Sequence, residues 1–130
     1  MSKTKKVLIV SRHKSTIQLL KQILQPIDID VDVVEHIDNP EILAKYPIVI
    51  GNLPLSMYAR LPEPKRPELF LVSLEIPREL RGRELGIEEL KKYVTITAVV
   101  HIAVAEGVVP IDIFNIDIKE LPKYVLSILS

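Results

Sequence analysis

The chain has 130 residues, one domain's worth, and a domain of that size buries about two-thirds of its unfolded surface without needing staples. Its 17 Lys and Arg balance 17 Asp and Glu, which argues against a protein that coats long nucleic acid through a general positive field and leaves polyanion contacts to local clusters. The chain holds 0 cysteines, which excludes a disulfide framework, zinc-finger spacing and thiol chemistry and fits a reducing, cytoplasmic setting.

The basic segment Met1 to Lys6 leads into the apolar run Lys6-Val7-Leu8-Ile9-Val10. Ser11-Arg12-His13 interrupts that run, so it is too short for a signal-peptide core or a membrane span, and it reads as a first strand. Ser15-Thr16-Ile17-Gln18 then fits a capping box, Ile17, Leu20 and Leu24 share one helical face, and Pro26 closes the helix. From Ile27 to Val33, isoleucine and valine alternate with Asp28, Asp30 and Asp32, the period of a half-buried strand near a sheet edge. Asn39-Pro40 supplies a cap and a first-turn proline for a short turn over Glu41 to Lys45. A third strand, Pro47-Ile48-Val49-Ile50, ends in Gly51-Asn52-Leu53-Pro54 before the chain turns helical again.

Three prolines between Leu61 and Pro67, at 62, 64 and 67, rule out regular structure there. Leu69 to Leu74 is an apolar run broken only by Ser73, as suits a central parallel strand. A charged loop follows from Ile76 to Leu85. Glu88 to Gly107 is ambiguous. Glu88-Glu89-Leu90-Lys91-Lys92 favours helix, while Thr95-Ile96-Thr97 and Val99-Val100 favour strand. One long helix is expected, so apolar beyond Tyr93 that a subunit interface should cover its second side. Ile111 to Ile118 alternates as a last strand, and Leu121, Val125 and Ile128 stripe a closing helix. The expected fold is α/β, a doubly wound, mostly parallel five-stranded sheet flanked by helices.

In such a sheet, ligands gather beyond the carboxyl ends of the strands. Ser11, Arg12 and His13 follow the first strand, and Gly51 and Asn52 follow the third, so two strand ends converge on one candidate crevice. His13 could move a proton there while Arg12 and the helix amides neutralise a phosphate, although a plain capping turn with a surface imidazole explains it equally well. Arg81-Gly82-Arg83 offers guanidinium forks around a glycine that permits close backbone approach, beyond another strand end. With 4 glycines in the chain, neither a dinucleotide fingerprint nor a P-loop is available. A phosphorelay receiver would end its third strand in aspartate, and this one ends in Gly51-Asn52. Asp28-x-Asp30-x-Asp32 lacks the glycine and glutamate of a calcium loop and reads as a solvated face. His13, His36 and His101 share no short ligand spacing, so no metal and no cofactor are expected. His36 reads as a surface residue at a strand end, and His101 as an interface histidine.

Val10-Ser11-Arg12-His13, His36-Ile37-Asp38, Val49 to Leu55 and Ser73 to Leu85 together resemble the motifs of a small CRISPR-associated family. It is one of the Csx-named accessory families of type III systems, with a Rossmann-like fold related to domains that sense cyclic oligoadenylates. The resemblance runs in order from the first strand to Leu90 and stops before Tyr93. The family's Gly-Thr-Leu-Pro turn stands here as Gly51-Asn52-Leu53-Pro54, exchanging a hydroxyl for an amide. The resemblance implies a ring nuclease that binds and linearises cyclic oligoadenylate, with cyclic tetra-adenylate as the expected ring, and so switches off antiviral signalling. On that reading His13 and Ser11 serve catalysis. Arg12, Gly51, Asn52, Leu53, Arg81, Gly82, Arg83 and Glu84 bind the ligand. A cyclic tetranucleotide is compatible with two-fold symmetry, so a homodimer is expected as its receptor. A non-catalytic nucleotide sensor or sponge, and a subunit docking on a CRISPR effector, remain alternatives.

Overall fold

The structure, a computed structural model, describes residues 6–62, 65–83, 85–101 and 111–129. It is an α/β fold around one mixed sheet of six strands in the order β2-β1-β3-β4-β5-β6. The strands are β1 (Lys6–Val10), β2 (Asp30–Val34), β3 (Ile48–Gly51), β4 (Glu68–Leu74), β5 (Val94–His101) and β6 (Ile111–Ile116). The helices are α1 (Lys14–Leu24), α2 (Leu55–Ala59), α3 (Ile87–Leu90) and α4 (Leu121–Leu129). Among the described residues, no helix is long and apolar enough to cross a membrane.

The first four strands are parallel, with β1 paired to both β2 and β3, and β3 to β4. The chain leaves β1 toward β2 on one side and finds β3 on the other, so the order reverses at β1. Alternation then sorts the side chains of β1. Val7 and Ile9 join a core under α1, α3 and α4 with Leu20, Ile50, Phe70 and Val125. Leu8 and Val10 join a second core on the opposite face with Leu43, Val49, Tyr58 and Leu69. Burial on both faces is why these strands read as largely apolar runs. The edge strand β2 instead keeps Asp30 exposed and Asp32 partly so. Asp32 accepts a 2.6 Å hydrogen bond from the Tyr46 hydroxyl and lies 3.7 Å from Lys6 Nζ.

Two expectations need correction. The sheet has six strands rather than five, and it is mixed, because β5 runs antiparallel to β4 and β6 antiparallel to β5. The expected long helix from Glu88 to Gly107 is instead the short α3 followed by β5; positions 102–107 lie outside the described residues. The two ends of the connection meet: the Glu75 amide donates to Tyr93 O at 2.9 Å, so the chain re-enters the sheet at the carboxyl end of β4 and runs back along it, with Leu74 opposite Val94. The apolar stretch is thus satisfied within the sheet, Ile96 and Ala98 being fully buried, and it no longer demands a subunit interface.

Three smaller features follow from local chemistry. Asn39 caps a 3-10 turn over Pro40–Lys45, its side chain accepting from the Glu41 amide at 3.0 Å. The capping box expected at Ser15 does not form, because α1 already starts at Lys14, with His13 as its N-cap. The closing helix buries Leu121 and Val125 as expected.

Candidate functional site

The carboxyl ends of β1, β2 and β3 surround an open crevice of about 510 Å³ lined by Ser11, Arg12, His13, Glu35, His36, Ile37, Asn52, Leu53, Pro54 and Met57. It lies beside β1, where the strand order reverses and doubly wound sheets collect ligands. Its volume falls in the range of small-molecule sites.

Backbone and side-chain hydrogen bonds fix the turn after β1. The Ser11 amide donates to Val34 O at 3.0 Å, extending the pairing with β2 by one residue. Ser11 Oγ accepts from the His13 amide at 3.2 Å, and Ser11 is only 2% exposed. Ser11 is therefore a bracket that holds the turn. Arg12 and His13, by contrast, are exposed. No side chain caps α1 and its first turn has no acidic residue, so the positive helix end is open toward the ridge that Arg12 and His13 form.

Gly51, at the end of β3, lies beneath the crevice. Its φ is +141°, and a Cβ built on it would lie 2.0 Å from Val10 O, so only glycine lets the ends of β1 and β3 approach this closely. The approach is sealed by the Asn52 amide donating to Val10 O at 2.9 Å, which leaves the Asn52 side chain exposed at the crevice wall. On the far side, His36 Nε2 lies 3.2 Å from Asp38 Oδ1, both groups well exposed.

A second cleft, of about 420 Å³, lies on the other side of the same ridge, lined by Arg12, His13, Lys14, Ser15, Thr16, Leu74, Ile76, Arg83, Leu85 and Leu90. The sequence-based set is thus divided. Ser11, Arg12, His13, Asn52 and Leu53 meet in the first crevice, with Gly51 beneath it. Arg83 joins Arg12 and His13 in the second. Arg81 and Gly82 line neither: Arg81 Nε donates to Ile76 O at 3.4 Å within its own loop, and Gly82 takes a φ of +85° with open space around it. Glu84 lies outside the described residues. Among the described residues, no three His, Asp or Glu side chains gather as a metal ion would require.

Sequence reasoning overlooked Glu35, His36, Ile37 and Met57 as crevice residues. A signal was present for the first three. They follow the last residue of β2 as Ser11, Arg12 and His13 follow the last residue of β1, and residues just past a parallel strand face the carboxyl-end crevice.

No curated protein and no solved structure matches the chain at a significant level. The model of the family described as "Putative CRISPR-associated protein (Cas_VVA1548)" matches residues 8–103, a span that takes in both clefts and the ridge between them. The chain belongs to this CRISPR-associated family, Cas_VVA1548.

Proposed function

We propose that the chain is a ring nuclease, which opens a cyclic oligoadenylate by attack of a ribose 2′-hydroxyl on its own phosphodiester. The observation that supports this reading is the exposed pair Arg12 and His13, set at the uncapped start of α1 between two clefts. Attack forms a bond from the 2′ oxygen to phosphorus and breaks the bond to the 5′ oxygen, leaving a cyclic phosphate on one end and a 5′-hydroxyl on the other. One proton leaves the 2′-hydroxyl and one reaches the departing 5′ oxygen. His13 exchanges a proton at this step, and Arg12 and the first-turn amides of α1 stabilise the charge that grows on the phosphate. Ser11 acts indirectly, by holding the His13 backbone in place. Conformation contributes the rest, since the nucleophile and phosphorus belong to one strand that the protein need only hold in line.

A crevice of about 510 Å³ suits one drug-sized ligand, and a ring of four nucleotides is larger than that. Two copies related by a two-fold axis would each take half the ring, and a homodimer is the assembly this reading requires.

Single-turnover linearisation of labelled cyclic tetra-adenylate with excess enzyme tests the reading. Wild type is expected to cut the ring in the presence of a chelator, and His13→Ala to keep its affinity while losing about a hundred- to ten-thousand-fold in rate. Equal rates would remove His13 from catalysis. Binding without turnover in the wild type would make the chain a nucleotide sensor or sponge.

A further inference from the structure

We infer that the cleft between α1 and the segment after β4 is a second base-binding subsite, so that two successive nucleotides straddle the Arg12–His13 ridge with their shared phosphodiester on its crest. The inference rests on the proposed nucleotide reading and deepens it. Arg12 and His13 line both cavities, so they form a common wall rather than the end of one pocket. The walls of the second cleft match one half of a nucleotide. Leu74, Ile76, Leu85 and Leu90 supply an apolar floor, with Leu74 37% exposed to solvent although it lies on a strand. The lining includes Arg12, Lys14 and Arg83 and no acidic group among the described residues.

A purine base suits such a floor, because its faces are apolar and its edge can remain toward water at the open mouth. A phosphate suits the ridge, where the open α1 terminus, Arg12 and the exposed Arg83 supply positive charge from both sides. The first crevice instead carries Glu35, His36 and Asn52 on its walls, so the two subsites should read a base differently. In-line chemistry favours the same placement. A dinucleotide laid across a ridge has its bases splayed apart, and splaying turns the ribose out of its stacked helical conformation toward the in-line geometry that 2′-hydroxyl attack needs.

The experiment compares ligands that cannot be cut. Deoxyadenosine monophosphate, the deoxy dinucleotide of adenine, and that dinucleotide with either base removed are titrated against the wild-type protein, Ser15→Trp and Arg83→Ala. Ser15 is exposed in the first turn of α1 and lines only the second cleft, so an indole there fills the cleft without emptying the core. The dinucleotide is expected to bind wild type about tenfold or more tightly than the mononucleotide, and to lose that advantage when a base is removed or when the cleft is filled. Arg83→Ala should reduce the same ratio. Far-ultraviolet circular dichroism and the urea midpoint confirm that each variant folds, and the base-removed ligands test the wild type independently of any variant. If mono- and dinucleotide bind wild type equally well, the second subsite is overturned while the nucleotide reading stands. If neither binds, both fall.

Discussion

Replacing Gly51 by alanine tests whether the close approach of β1 and β3 builds the crevice. The new methyl would sit 2.0 Å from Val10 O, where ordinary contact begins at 3.4 Å, so the two strand ends must part by an ångström or more. Parting them strains or breaks the 2.9 Å bond from the Asn52 amide to Val10 O, a loss of about 1 kcal/mol. Holding alanine at a φ of +141° adds about 1–3 kcal/mol. With the residual clash, the total is about 3–5 kcal/mol, a large part of the about 5–15 kcal/mol that keeps a domain folded. Urea denaturation should show the midpoint falling by about 2 M at unchanged slope. Gly82→Ala provides the control, because Gly82 also has positive φ, at +85°, yet a Cβ there meets nothing within 4 Å. It should cost only about 1–2 kcal/mol. If Gly51→Ala loses no more than Gly82→Ala, the clash with Val10 does not exist and the account of the close approach beneath the crevice fails.

Arg12→Ala and Arg83→Ala should each weaken adenylate binding by about 1.5–3 kcal/mol, the scale of a hydrogen bond to a charged group. Arg81→Ala should change it by less than about 0.5 kcal/mol; titration calorimetry giving equal losses for all three would move the site toward the Arg81 loop. Tyr46→Phe removes the hydroxyl bonded to Asp32 and should cost about 0.5–1.5 kcal/mol. That bond to Asp32, with burial and the Asp32 charge behind it, pushes the Tyr46 hydroxyl up from 10.0 to about 12. Its contribution is therefore fully present below pH 10 and fades as pH rises toward 12. Urea midpoints of wild type and Tyr46→Phe should converge across that window, and a gap that stays constant would contradict the linkage. Light scattering at micromolar concentration should return twice the chain mass, 14.7 kDa per copy; a monomer that still cuts the ring would dispense with the shared receptor.

Much of the fold is written in short-range pattern. The alternation from Ile27 to Val33 marked β2 as an edge strand because one face of an edge strand stays wet, and the largely apolar runs Lys6 to Val10 and Leu69 to Leu74 marked strands that are buried on both faces over Val7 to Val10 and over Leu69 and Phe70. Asn39-Pro40 specified its own turn, because an Asx cap and a first-turn proline act within three residues. The convergence of Ser11, Arg12, His13, Asn52 and Leu53 was legible too, since parallel strands joined by crossovers must place their carboxyl ends together. Direction and partner choice in the second half were not. Thr95, Ile96, Thr97 and Val99 favour strand locally, but the helical signal of Glu88 to Lys92 ran into them. Only tertiary pairing, with the Glu75 amide meeting Tyr93 O and Leu74 set opposite Val94, decides that α3 stops at Leu90 and β5 runs back along β4. The second cleft depends on the same event. Leu74, Ile76, Arg83, Leu85 and Leu90 face α1 only because the chain turns back beside it, and sequence spacing carries no record of which helix a returning segment will meet. Arg81 and Arg83 make the point at the level of single residues. Two positions apart in one motif, they are equivalent in sequence, and the loop's path alone gives Arg83 to the cleft and Arg81 to its own backbone.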